Sequence, residues 1–297
     1  MTTNLLRTNA DAFLPVKFGE SAWYQHVPFA YWLIEQMKPK SFMELGVHNG
    51  VSYFAFCEAA RQLNLNSKFI AVDNWVGDTQ AGLFDTSVFN NFVLNHKEYE
   101  NFSTFMKSNF EEALSKIEDN SIELIHIDGF HSYNQVKNDF NLAFEKVNKE
   151  NGIILLHDVN EYQITFGVNE FFSELEIKFR TFKFNHGHGL GVVLIGSNID
   201  PNLIEMLVTD NTELKNGLRK YFEVLGQRCE LYASNIQLNE IMIEQKNLLH
   251  QNTKKIEDLL KNNDAIKIES EKQIYQLTNS ISWRLTQPLR YLKRILK

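Results

Sequence analysis

ELGVHNG (44–50), IAVDNW (70–75), IHIDGFH (125–131) and LLHDV (155–159) decide how this chain folds. Each ends an apolar run with a glycine, a carboxylate or a histidine. Strands buried on both faces read as continuous apolar runs, and polar groups gathered where such runs stop belong at the carboxyl ends of parallel strands. Strand-like runs at 41–47, 68–75, 102–108, 122–129 and 151–159 alternate with helical patterns. These lie at 51–63, from Asn109 to about Lys116, and in the stretch where Tyr133, Val136, Phe140, Phe144 and Val147 recur at helical spacing. Such alternation implies right-handed crossovers and a doubly wound α/β sheet. A helix near 161–175 leads to two last strands, 177–184 and 190–196. They are joined by HGHG, a turn without a helix, and so run antiparallel to each other.

Outward from this sheet (41–197), residues 1–40 form an N-terminal segment and helix, with Phe29, Trp32, Leu33 and Met37 on one side of 22–38. Residues 76–101 are a long insertion between the second and third strands, of the kind that makes lids or substrate walls. After Gly196 the pattern changes. Residues 201–225 look helical, and 229–280 are rich in Asn, Gln, Glu and Lys, with apolar pairs seven apart (Leu231/Leu238, Ile241/Leu248, Leu259/Ile266). The register slips, so 198–280 is expected as a bent helical appendage with coiled-coil character rather than a long regular coiled coil.

The chain of 297 residues, 43% hydrophobic with 23 Phe, can fill a core for one such domain plus an appendage. A net charge of −7 argues against a general nucleic-acid binder. Two cysteines, Cys57 and Cys229, make no disulfide framework and suit a reducing cytoplasm; Cys57, in SYFAFCEAA, reads as a small core residue. MTTNLLRTNADAF lacks the shape of a secretory leader, and no run approaches the ~20 apolar residues of a spanning helix. A cytoplasmic protein, at most peripheral to the membrane, is expected, and a homo-oligomer.

The 44–50 loop lacks the G-x-G-x-x-G turn that cradles a pyrophosphate. It offers Glu44 on the strand, glycines at 46 and 50, and Asp73 at the end of the next strand. A sulfonium cofactor carries no phosphate; it has a positive centre, an amino-acid tail and a ribose diol, and these residues match those needs. Asp73 would take both ribose hydroxyls, and Ser108 and Asn109 are candidates for the adenine side. The bland alternative is a tight turn after a buried strand.

In a doubly wound sheet the fourth and fifth strands are neighbours, so Asp128 and the His157–Asp158 pair should meet above the sheet, with His131 close by. Carboxylates with histidines chelate divalent cations, and a neutral imidazole beside a cation-bound hydroxyl can take its proton. Alternatives stand beside each residue: Asp128 as a helix cap, His131 as a first-turn residue bonding backbone. Residues 157 and 158 can share one ion only if the chain turns there, because neighbours on a strand face opposite ways. His126 within its strand and Asp139 on a helix surface read as structural; His186 and His188 read as solvated.

From about Trp23 to Gly196 the chain resembles the S-adenosylmethionine-dependent, metal-dependent sugar O-methyltransferases and their cephalosporin-hydroxylase-like relatives. The match rests on W-x-x-H-x-P-F-A (23–30), ELGVHNG, VDNWVGD (72–78), IDGFH and HDV. The resemblance implies a Rossmann-like, mostly parallel sheet finished by an antiparallel hairpin. It implies S-adenosyl-L-methionine bound by Glu44, Gly46, His48, Asn49, Gly50, Asp73, Asn74, Ser108 and Asp128. It further implies a divalent metal (Mg or Mn) on Asp128, His157 and Asp158, His131 as base, and a sugar or glycan acceptor. The insertion 76–101 and the entry segment, including His26, are expected to shape the acceptor pocket. Histidine at 157, where the family has an acid, is a departure that suits Mn²⁺, Fe²⁺ or Zn²⁺ better than Mg²⁺. The rivals are a metal-independent methyltransferase on a small phenolic or protein group, and a non-catalytic nucleotide-sugar-binding scaffold. A nicotinamide dehydrogenase is disfavoured by the missing glycine fingerprint.

The tail 281–297 carries five basic residues from Arg284 onward and no acid. Leu285, Leu289, Leu292 and Leu296 share a stripe, and Pro288 suits a first helical turn. Such a helix fits an anionic membrane surface or the protein's own or a partner's acidic face. W-R-L-T-x-P-L-R is similar to tails of bacterial glycan-assembly enzymes, which implies membrane or complex association.

Overall fold

The computed structural model describes residues 8–78 and 82–295. The chain falls into two compact units, one ending at Gln237 and one beginning at Leu238. In the first, after a short turn at Trp23–His26, come α1 (Val27–Met37), β1 (Ser41–Leu45), α2 (Val51–Gln62) and β2 (Lys68–Asp73). A two-residue ribbon follows, β3 (Gly77–Asp78) with β4 (Gly82–Leu83), then α3 (Thr86–His96), β5 (Ser103–Lys107), α4 (Phe110–Leu114), β6 (Leu124–Ile127) and α5 (Tyr133–Lys146). The series closes with β7 (Ile153–His157), α6 (Val168–Lys178), β8 (Arg180–Phe184), β9 (Leu190–Leu194) and α7 (Pro201–Val208).

Seven strands form one sheet in the order β5-β2-β1-β6-β7-β9-β8. The first five in that order are parallel, and β9 is antiparallel to β7 and β8. This is the doubly wound sheet that the strand pattern implied, finished by the antiparallel hairpin that the resemblance implied. Alternate residues of each strand feed two cores. Phe42, Leu124, Ile153 and Leu155 face one shared with α1, α2, α3 and α7; Met43, Ile125, Ile154 and Leu156 face the other, under α4, α5 and α6. Each fully buried Phe or Leu contributes about 1.5–3 kcal/mol.

Several expectations shift. The helix expected near 161–175 is α6, which begins only at Val168. Residues 160–167 are instead a loop over the carboxyl edge, pinned where the Gly167 N–H donates to His131 O at 2.7 Å. Among the described residues of the 76–101 insertion, only Gly77 and Phe84 of the ribbon region line the cavity at the carboxyl edge. In α3 Phe92 is fully buried, and it packs with Trp75 and Phe105 as core; residues 79–81 lie outside the described residues. The helical region is α8 (Thr212–Asn279), assigned without a break. Its first turns bury Leu218, Phe222, Cys229 and Ala233, so the first unit extends past the boundary expected at 197/198. From 238 onward the residues of the seven-spaced pairs, among them Ile241, Leu248, Leu259 and Ile266, are exposed. Among the described residues, no helix is long and apolar enough to cross a membrane.

At the carboxyl edge β1 stops because Gly46 turns left-handed, φ +91°. The Gly46 N–H donates to Val72 O (2.9 Å) and the Asp128 N–H to Leu45 O (2.8 Å), which locks three strand ends together. A Cβ at Gly46 would lie 2.0 Å from Asp128 O, so neither the dihedral nor the space admits a side chain. Gly46→Ala is therefore expected to cost roughly 2–4 kcal/mol, read as a lower urea midpoint; an unchanged midpoint would mean this junction yields freely.

Candidate functional site

The turn after β1 is shaped by the carboxylate that ends β2. Asp73 Oδ2 accepts from the N–H groups of Val47 and His48, both at 2.8 Å, and Oδ1 accepts from Trp75 N–H at 2.6 Å. His48 is held at φ +49°, its ring stacked on Phe84 of the ribbon region with centroids 4.3 Å apart, and Trp75 Nε1 donates to His48 O. Across the turn, Ser108 Oγ is buried with no hydrogen-bond partner, a donor directed to the same space. Asn109 is a helix cap: its Oδ1 accepts from Glu112 N–H.

The second group is the acid–imidazole cluster. Asp158 follows the last residue of β7 with φ +60°, so the chain turns there and the His157 and Asp158 side chains converge. His157 Nδ1 stands 3.4 Å from both Asp128 Oδ1 and Asp158 Oδ1. His131 Nε2 stands 2.8 Å from Asp158 Oδ2 and 3.8 Å from Asp128 Oδ1, its ring stacked on Phe166 at 4.6 Å and 5°. Burial alone would raise the Asp128 and Asp158 carboxyls; the facing imidazoles, His157 foremost, overturn this and hold both well below the usual range. Burial would likewise lower the imidazoles. The two carboxylates instead raise His157 well above its ordinary value and His131 to about 9.

The donor set fits a divalent cation. One ligand atom each from Asp128, His157 and Asp158 lie within 4.8 Å of one another. His157 Nε2 donates to Gly187 O at 3.1 Å, so that with a cation in place of the ring's second proton Nδ1 would offer its lone pair beside the two carboxylates. That is the outer-shell support characteristic of metal-ligating histidines. Positive charge has to occupy this point, as a proton on the rings or as a metal ion.

Gly46, His48, Asn49, Gly50, Asp73, Asn74, Ser108, Asp128, His131, His157 and Asp158 all line one cavity of about 610 Å³, a volume suited to a small molecule. Glu44 does not. It is fully buried beneath the floor, where Ser52 Oγ donates to it at 2.6 Å and His126 Nδ1 faces it at 3.2 Å. Burial pushes the Glu44 carboxyl up and His126 draws it back. His126 Nε2 in turn accepts from the Trp23 indole at 3.2 Å. His26 is fully buried too, behind the cluster, its Nε2 bonded to Gly187 O at 2.9 Å and its ring 5.5 Å from His157. It supports the cavity rather than lining it.

Asp139 is 1% exposed and lines the cavity, not the helix surface. Gln135 Nε2 donates to Oδ1 at 2.8 Å while Oδ2 has no partner, and burial pushes the carboxyl up to about 6. His186 is not solvated: it packs 5.0 Å from His26, and burial lowers it to about 4. His188 is half exposed and paired with Glu161. Phe84 of the 76–101 insertion and Trp23 of the entry segment are walls, as expected of those segments, whereas Glu161 and Phe166 were not expected from the sequence. The described lining holds seven carboxylates (Glu20, Asp73, Glu111, Asp128, Asp139, Asp158 and Glu161) and no lysine or arginine.

Residues 43–159 match the family described as "Methyltransferase domain". The matched segment starts one residue before Glu44 and ends one residue after Asp158, so it contains both halves of the site. Protein y4gI of Sinorhizobium fredii is 36% identical over 208 residues, which is 70% of this chain and 23% of that protein. Protein R132 of Acanthamoeba polyphaga mimivirus is 34% identical over 92 residues, 28% of this chain and 41% of that protein. The matches thus span less than half the length of either relative. Among solved structures, the O-methyltransferase TomG of Streptomyces achromogenes, in complex with SAM, aligns at 10% identity over 66% of this chain and 89% of its own, TM-score 0.46.

Because the folded pKa of Asp139 lies above its unfolded value, the native state holds a proton that the unfolded chain has lost between about pH 4 and 6. Stability therefore falls as pH rises through that window. Asp139→Asn is expected to match wild type near pH 4 and exceed it at pH 8 by at most about 3 kcal/mol, measured by urea denaturation at both values. An equal effect at both would locate the carboxylate in water.

Proposed function

We propose that this protein is an S-adenosylmethionine-dependent O-methyltransferase whose acceptor is a sugar hydroxyl, on a glycan or glycoside without phosphate near the reacting carbon. One observation carries the reading: Asp128 belongs to both halves of the site. Its backbone carbonyl abuts Gly46 and its carboxylate stands in the His131–His157–Asp158 cluster, so a cofactor on the glycine turn and an acceptor on the cluster share one wall.

S-adenosylmethionine supplies a methyl group on sulfonium sulfur, which passes to the acceptor oxygen while the hydroxyl proton leaves. The residues of the chain do the rest. The Gly46–Gly50 turn admits the amino-acid tail, Asp73 keeps one oxygen less occupied for the ribose, and Ser108 Oγ is free for the adenine side. In its neutral form His131 takes the proton on Nε2, the nitrogen that faces the cluster; that form requires the charge of Asp128 and Asp158, which otherwise raises His131 to about 9, to be balanced by a cation. Phe166 holds the ring flat. Base catalysis of this kind is worth ~10²–10⁴-fold. A divalent cation on Asp128, His157 and Asp158 would supply positive charge that favours the alkoxide form of the hydroxyl. The lining disfavours phosphorylated acceptors, because its described walls carry no lysine or arginine to pair with phosphate charge and seven carboxylates that repel it.

A metal-free variant of the same reaction has one observation on its side: Asp128 and Asp158 raise His131 to about 9, so the cluster balances its charge with a proton and without an ion. Labelled methyl donor with neutral glycan fractions, with and without Mn²⁺ after chelation, separates the two. Chelation is expected to abolish transfer and Mn²⁺ to restore it; full activity after chelation removes the metal. In thermal denaturation, Mn²⁺ at a hundred times its Kd should stabilise wild type by about 2.7 kcal/mol, and Asp158→Asn should lose most of that shift. His131→Ala should lower turnover ~10²–10⁴-fold with cofactor affinity unchanged; full turnover would falsify its role as base.

A further inference from the structure

We infer that the C-terminal segment Ile281–Ile295 is an interfacial anchor that lies on an anionic lipid surface. The inference is independent of the proposed chemistry. Two short helices make the segment, α9 (Ile281–Leu285) and α10 (Gln287–Ile295). Ser280 Oγ caps the first by accepting from Trp283 N–H at 3.2 Å. The corner at Thr286 is tied by Arg290, whose guanidinium lies 3.8 Å over the Trp283 ring and whose Nη1 donates to Thr286 Oγ1 at 2.6 Å. The segment thus has defined local structure without any buried residue.

Its chemistry is divided lengthwise. At 100° per residue, Leu289, Leu292 and Ile295 fall on one side of α10, and Arg290, Lys293 and Arg294 on the other. Leu285, Leu289, Leu292 and Ile295 are each more than half exposed. Between 238 and 279 the preceding helix mixes seven acids with six lysines, as a solvated helix does, whereas 281–295 holds four cations and no acid. A uniform negative surface requires no matching pattern of charges, only cations. The apolar side can sink into the acyl boundary while the basic chains stay at phosphate level, and the exposed Trp283 and Tyr291 suit the headgroup layer. An acidic protein face would want cations and leucines presented together. With no helix able to span a bilayer among the described residues, such contact would be peripheral.

The test is sedimentation of the full chain with vesicles of phosphatidylcholine alone or mixed with phosphatidylglycerol. Wild type is expected to pellet with the mixed vesicles and not with the neutral ones, with binding weakened at high salt. Lys293→Glu with Arg294→Glu should weaken it by about 30-fold or more, and Leu289→Glu with Leu292→Glu by on the order of 100-fold. All four side chains are exposed, so unchanged circular dichroism and melting will confirm that the variants fold. Wild type left in the supernatant overturns the inference, as does pelleting that either variant leaves intact. If those variants instead abolish self-association in the ultracentrifuge and wild type ignores vesicles, the face belongs to a second copy and the lipid assignment is wrong.

Discussion

The Asp73 carboxylate, accepting three backbone N–H groups from Val47, His48 and Trp75, sets the geometry on which the cavity depends. Hydrogen bonds to an ionised acceptor are about twice as strong as neutral ones, and here they bind the turn after β1 to the end of β2. That turn can sit so close to β6 only because Gly46 has no side chain. The Gly46–Asp128 contact then carries the arrangement from the first strand to the fourth parallel run, where the chemistry of the cluster begins. One carboxylate and one glycine hold the two halves of the site in register.

Below this rim, the sheet tolerates an unusual line of polar groups on the face shared with α1 and α2. Glu44 and His126 are direct partners across β1 and β6, and His157 ends the next strand along. Burying an isolated carboxylate is costly, and removing one member of a buried pair costs about 3–5 kcal/mol, so Glu44, His126, Ser52 and Trp23 stand or fall together. Glu44 and His126 lie beneath the cavity while Trp23 and Ser52 reach its wall, and together they fix the strand from which Asp128 projects. Above them, the left-handed residue Asp158 is what lets two sequence neighbours act at one point. A strained turn of this kind persists only where its surroundings hold it.

The parallel sheet was legible because its strands end abruptly, apolar runs giving way to Gly46, Asp73, Asp128 and Asp158. The cluster was legible for the same reason, conditional on a turn at 157–158 that sequence cannot display. Glu44 was misplaced because an acidic residue next to a glycine turn looks the same whether it faces a ligand or a buried imidazole. Only the pairing with His126 decides. Asp139 was readable and overlooked: Val136, Asp139, Phe140 and Ala143 recur at i, i+3, i+4 and i+7, which sets the acid on the buried stripe of α5. Residues 160–167 passed for helix because only Gly167, at the true start of α6, punctuates them. The depth of α8's first turns in the core was likewise carried by one stripe, Leu218, Phe222, Cys229 and Ala233, within a run of otherwise polar residues.

Gly187 O receives both His26 and His157. His157 lies inside the stretch 43–159, whereas His26 precedes it and Gly187 follows it in the β8–β9 hairpin. An excised piece limited to 43–159 would keep every cluster residue yet leave the His157 ring unclamped, free to swivel away from the acids. The bracing of His157 therefore reaches from the Trp23–His26 turn to the β8–β9 hairpin. The family match at 43–159 sets narrower limits on this module than its own internal bracing does.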